Sequence, residues 1–225
     1  MAERGMIFNA EMVRAILDGR KTQTRRIMKV QPVLNGNFYE VFGAGWSKGI
    51  KSVPAVPGHS LSTKCPFGTV GDRIWVREAF RVMGCATDVA RLMYKASERN
   101  SFTESTRTVP VASCTKQPSQ KWTPSIHMPR WASRITLEIT DVRVERLNSI
   151  IEDDAAAEGV GSAIWFAATG VPEDEWSSLG EHGAERASHI NTFATLWESI
   201  YGAESWQANP WVWVIEFRRV EGGEA

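Results

Sequence analysis

At 225 residues, 43% of them hydrophobic, the chain can bury a core and is too apolar for wholesale disorder. No apolar run approaches the length of a membrane span, and the first residues lack a long apolar leader. Cys65, Cys85 and Cys114 are an odd, widely spaced set, which speaks against a disulfide framework. Together these features predict a cytoplasmic protein with no membrane partner. Formal net charge is zero, but residues 1–150 hold 23 Lys and Arg against 12 Asp and Glu, a balance of +11. Residues 151–205 hold one Arg against 11 acids, a balance of −10. That asymmetry fits a polyanion-facing surface, or two portions that pair with one another.

Asn9 is placed to cap a helix in which Met12, Val13, Ile16 and Leu17 repeat at helical spacing, with Gly19 ending it. The basic run from Arg20 to Arg26 follows. Residues 30–68 are rich in Gly, Pro, Ser and Asn and predict a long loop or irregular hairpin. Gly71 to Glu78 predicts a turn and a short strand, and residues 84–121 a polar insertion. Ile135, Leu137, Ile139, Val142 and Val144 mark a further strand. Ser149-Ile150-Ile151-Glu152 fits a capping box that opens a short helix through Ala155–Ala157 to Glu158, stopped by Gly159. Beyond a second polar stretch at 160–185, Ile190, Phe193, Trp197, Ile200 and Tyr201 mark an amphipathic helix. Trp211 to Phe217 predicts a closing strand buried on at least one side. This order predicts an α+β or barrel-like domain. There is no Walker loop, Rossmann glycine pattern or zinc-ribbon spacing, and no cofactor or metal is expected.

Three segments resemble the ASCH domain family of the PUA-like superfamily. Asp18-Gly19-Arg20-Lys21-Thr22-Gln23-Thr24-Arg25-Arg26 is similar to the motif that opens ASCH domains. Gly71-Asp72-Arg73-Ile74-Trp75-Val76-Arg77-Glu78 resembles a second family strand, and Trp211-Val212-Trp213-Val214-Ile215-Glu216-Phe217 its closing strand. The resemblance implies a single PUA-like β-barrel domain over residues 1–225, with flanking helices and insertions at about 30–65, 84–121 and 160–185. The long form is similar to proteins of tailed phages and prophages, which implies the host-cell cytoplasm. Family members are expected to bind RNA. Some relatives are amidohydrolases that remove the acetyl group from N4-acetylcytidine, and others metal-dependent ribonucleases. By resemblance, the amidohydrolase Lys, Thr and Glu fall on Lys21, Thr24 and Glu158.

Amide hydrolysis needs a nucleophile, a base and an acid for the leaving nitrogen. Lys21, its pKa lowered by burial or by Arg20, Arg25 and Arg26, could take the proton of Thr24. In a helical turn the two would face one another. Glu158 would protonate the leaving nitrogen, and Arg25, Arg26 or backbone N–H groups would hold the oxyanion. The alternative is a solvated basic edge or a phosphate clamp without catalysis. Arg20, Arg25, Arg26, Arg77 and Arg130 are candidate phosphate contacts. Trp75 and Trp131 are candidate base-stacking residues, with core packing as the alternative for each tryptophan. Cys65, Cys85, Cys114 and His127 lack the spacing of a zinc site. Asp72 and Glu78 fit a metal less well than a turn cap. Expected partners are RNA, DNA or a modified nucleoside. Competing expectations are a non-enzymatic adaptor whose insertions bind a phage or host protein, and a metal-dependent nuclease.

Overall fold

The computed structural model describes residues 1–161 and 188–220. In chain order the elements are β1 (Glu3–Ile7), α1 (Ala10–Leu17), β2 (Gln23–Ile27), β3 (Val33–Asn35), β4 (Phe38–Val41), β5 (Ala44–Ser47), β6 (Ser52–Pro54), β7 (Arg73–Arg77), β8 (Phe80–Cys85), β9 (Val89–Tyr94), α2 (Phe102–Ser105), β10 (Thr106–Pro110), β11 (Thr136–Arg146), α3 (Glu152–Ala157), α4 (His189–Tyr201) and β12 (Trp211–Val220). They gather into two compact units. The first holds residues 1–18, 72–138 and the end of β12 from Arg219. The second holds residues 19–71 and, among those described, 139–161 and 188–218. The architecture is α+β. Among the described residues the sheets stay open and no closed barrel forms.

In the first unit, β1 runs parallel to β7, which pairs antiparallel with Thr136–Glu138 of β11. Gly5 lies opposite Trp75, and a Cβ at Gly5 would sit 2.6 Å from the indole, so only glycine lets that ring lie across β1. Asn9 caps α1 as expected, its side chain accepting from Met12 N at 2.8 Å, and Gly19 takes φ +78° beyond the helix end. Residues 84–121, expected as a loop-like insertion, are largely ordered. Much of that stretch builds the antiparallel sheet β8–β9–β10, with a bulge between Val82 and Gly84. The sheet turns Phe80, Val82, Ala90, Leu92, Tyr94 and Val109 into a core that Met128 and Ala132 complete.

In the second unit, β12 pairs antiparallel with β2, Val212 opposite Ile27 through Glu216 opposite Gln23, and neighbours β11 on its other side. Trp211 through Ile215 are all buried. Burial on both faces explains an unbroken apolar run where a half-exposed strand would alternate. The expected loop at 30–65 contains a small meander, β3–β4–β5, and β6, which pairs with β11. Edge-to-face contacts of Tyr39 and Trp46 with Trp211, at 5.0 and 5.7 Å, tie the meander to β12. The capping box at Ser149–Glu152 is not formed. Ser149 ends a 3-10 turn, Ile151 is the N-cap, and no side chain caps the helix. Glu152, Asp153 and Asp154 in the first turn oppose the helix dipole instead, and Glu152 accepts from His189 N at 2.8 Å. The insertion expected at 160–185 falls, from residue 162 onward, outside the described residues.

Candidate functional site

In the second unit the chain leaves Gly19, passes the end of α3 and enters β2. An isolated antiparallel bridge joins Lys21 to Glu158. Thr22 N donates to Ala157 O at 2.9 Å, and Phe217 N to Thr22 O at 2.8 Å. Lys21, Gln23 and Arg25, two positions apart, all aim at α3. Lys21 Nζ donates to both Glu158 Oε2 and Glu158 O at 2.8 Å, and Gln23 Nε2 to Asp154 O at 2.6 Å. Arg20 Nη1 donates to Gly159 O at 3.1 Å. Cationic donors therefore cap the carbonyl end of α3, which offsets the unfavourable placement of a glutamate there.

The cluster is closed. The side chains of Lys21 and Arg25 are 0% exposed and that of Glu158 2%. Arg25 spreads over three carboxylates: Asp154 at 2.8 Å, and Glu145 and Glu158 each at 3.3 Å. Arg143 continues the network to Glu145 at 2.7 Å, Asp141 at 3.2 Å, Asp154 at 3.4 Å and, in a short contact, Glu216. Burial pushes the Lys21 amine below its ordinary value. The Glu158 charge and hydrogen bond oppose that shift, and Arg26 and Arg25 add to it. Burial alone would also lower Arg143, but Glu145 and Glu216 hold that guanidinium above its ordinary range.

Lys21 and Glu158, 137 positions apart, meet as expected. Thr24 does not join them. It lies in a strand and not a helical turn, so side chains alternate with period two, and Thr24 takes the face opposite Gln23 and Arg25. No hydrogen bond links Thr24 to Lys21 or Glu158 among the described residues. Arg25 is corrected more sharply. Expected on a basic surface, it is buried because three carboxylates converge on it. Arg26 is half-buried and Arg20 exposed.

The remaining candidates belong to the first unit. Arg77 stacks on Trp75 at 5.4 Å and donates to Ile126 O. Arg130 makes a two-pronged pair with Glu3 at 2.8 Å, and its hydrogen bonds hold that carboxyl below the usual range. Trp131 packs edge-to-face on Phe80 at 6.2 Å, against the core of the three-stranded sheet. Asp72 pairs with Arg4 and accepts from Ala2 N, while Glu78 pairs with Arg134. Among the described residues no group of three or more His, Cys, Asp or Glu side chains is arranged to hold a metal ion. Sequence reasoning missed Glu145, Asp154, Arg143 and Gln23. For Asp154 the available signal was helical spacing, since it sits one turn before Glu158 on the same face of α3. No known family, curated protein or solved structure matches the chain.

Proposed function

We propose that this chain is an ASCH-type, PUA-like protein that binds a nucleobase, in RNA, in DNA or as a modified nucleoside, and hydrolyses the amide of an N4-acylated cytosine at Lys21 and Glu158. One observation carries the reading: two side chains 137 positions apart, one within the Asp18–Arg26 segment and one at the end of α3, form a dry ion pair in which the lysine amine is easier to deprotonate than usual. A lysine buried in this way gives up its proton more readily than an exposed one and so is suited to proton transfer. In the ion-paired state Glu158 suits the base and Lys21 the acid, the reverse of the roles expected from sequence. A water molecule gives its proton to Glu158 as its oxygen attacks the acyl carbon. The C–N bond then breaks as the Lys21 ammonium protonates the departing nitrogen. Thr24, on the other face of β2, is outside this transfer. Because both side chains are covered, substrate must open the cluster before chemistry.

That closure also favours a second reading, in which the basic segment binds its ligand without turnover. The two are separated by incubating purified protein with N4-acetylcytidine and with acetylated RNA and DNA. The hydrolase reading expects wild-type turnover, its loss in Lys21→Met and Glu158→Gln, and near-normal rates in Thr24→Val. Salt-sensitive binding with no hydrolysis of any substrate supports the second reading. Collapse of turnover in Thr24→Val, with its fold intact, overturns the assignment of acid to Lys21 and base to Glu158.

A further inference from the structure

One cavity belongs wholly to the first unit and holds no residue of the Lys21–Glu158 cluster. It is open, apolar and about 400 Å³ in volume, on the outer face of the β8–β9–β10 sheet. Phe80, Val82, Ala90 and Leu92 point into the core of that sheet, so the alternating Met83, Val89, Arg91 and Thr108 point outward. The open face of an antiparallel sheet is ordinarily polar. Here Met83 and Val89 each stay 37% exposed and Phe102, on α2, 53%, all round one hollow. The bulge between Val82 and Gly84 leaves Met83 without a register partner and sets Gly84 opposite Arg91. A Cβ at Gly84 would meet nothing within 4 Å, so the missing side chain is what leaves the floor of the hollow open. On its other side Arg91 faces Thr108, a second small side chain. The Arg91 guanidinium lies over the Phe102 ring, 5.2 Å from its centroid, a contact that uses none of its N–H donors. Arg77, Arg81, Arg107, Arg130 and Arg134 of the same unit each donate to an oxygen of the protein. Among the described residues the guanidinium of Arg91 has no hydrogen-bond or ion-pair partner.

We propose that this cavity binds a free aromatic monocarboxylate of one or two rings. The carboxylate takes the two-pronged donor set of Arg91, with the Thr108 hydroxyl beside it, and the ring lies over Gly84 against Met83 and Phe102. The lining selects that class. One unpaired guanidinium matches one negative charge, whereas a phosphate ester brings more charge and three acceptor oxygens, more than the hollow has donors for. A thioether and a phenyl ring are favourable neighbours for a flat aromatic body. The volume stands at the small end of ligand cavities, which run from about 300 to 1,000 Å³, so it suits one or two rings.

Titrating nitrogen-15-labelled full-length protein with naphthoate, and with naphthylmethanol as the uncharged compound of the same ring system, tests this by NMR. Naphthoate should give saturable shifts confined to residues 83–91, Phe102 and Thr108, with a Kd below about 1 mM. The alcohol should bind at least about tenfold more weakly, and naphthoate should bind Arg91→Met more weakly by a similar factor. Gly84→Leu, whose side chain fills the hollow, should abolish the shifts while the rest of the spectrum stays native. Arg91 is exposed, so Arg91→Met and the acid–alcohol comparison decide the question even where Gly84→Leu disturbs the bulge. Absence of saturation at millimolar naphthoate, equal affinity for acid and alcohol, or equal affinity in wild type and Arg91→Met overturns the proposal.

Discussion

Each unit buries a carboxylate that ends a recognisable segment, and the two are paired in different ways. In the first unit Glu78 meets one cation. Arg134 Nε and Nη2 donate to it at 2.9 and 3.0 Å, and the guanidinium also bonds Ser97 Oγ at 2.9 Å and lies 4.1 Å over the Tyr94 ring. Burial pushes the Tyr94 phenol up to about 12. In the second unit Glu158 is shared by Lys21 and Arg25, and Arg25 serves two further carboxylates. An arginine keeps its proton throughout the accessible pH range, whereas a buried lysine does not. The first pair is therefore a fixed strut. The second can pass a proton, which is why chemistry is assigned to it.

The largest expected effect comes from Arg25→Met, which strands Glu145, Asp154 and Glu158 together without their shared cation. Chemical denaturation should show a loss of about 3–5 kcal/mol. Glu78→Gln should cost less, about 2–3 kcal/mol, because Arg134 keeps its Ser97 and Tyr94 contacts and some access to water. Equal losses would erase the distinction between strut and network. Gly5→Ala tests the first unit alone. Its Cβ collides with Trp75, so stability should fall by about 1–2 kcal/mol while the titration of Lys21 is unchanged.

The smallest effects are slopes of stability against pH, and they have opposite signs. Burial raises Glu78 above its ordinary value of 4.5, against Arg134. Native protein therefore holds a proton that the unfolded chain has released, and stability falls as pH climbs from 4.5 through the raised value. Lys21 is lowered from 10.5, so in the alkaline range the unfolded chain binds more protons and stability rises with pH up to about 10.5. Glu78→Gln should remove the fall and Lys21→Met the rise, each read from unfolding at stepped pH.

Much of this was legible from local patterns. Asn9 with its helix, the strand around Ile74 and Val76, the helix ending at Glu158 and the run Trp211–Phe217 are each encoded by near neighbours. The meeting of Lys21 with Glu158 was legible only through family resemblance. The burial of Arg25 was not, because charge counts report composition and not where the partners fold. Part of the +11 and −10 asymmetry is in fact cancelled inside the second unit, where Arg25 and Arg143 meet Asp154 and Glu158. The β8–β10 sheet was obscured by polar residues on its outer face, although Ala90, Leu92 and Tyr94 alternate in the sequence. Thr24 was misplaced because a three-residue spacing was given a helical period in a segment that is a strand.

The central claim is that Lys21 is a proton-labile amine held against Glu158. Nitrogen-15 NMR of the lysine side chains, with Lys21 assigned through Lys21→Met, follows its titration directly. The account predicts a midpoint clearly below 10.5, moving lower still in Glu158→Gln once the opposing carboxylate is gone. A Lys21 midpoint at or above 10.5, unmoved by Glu158→Gln, would contradict it.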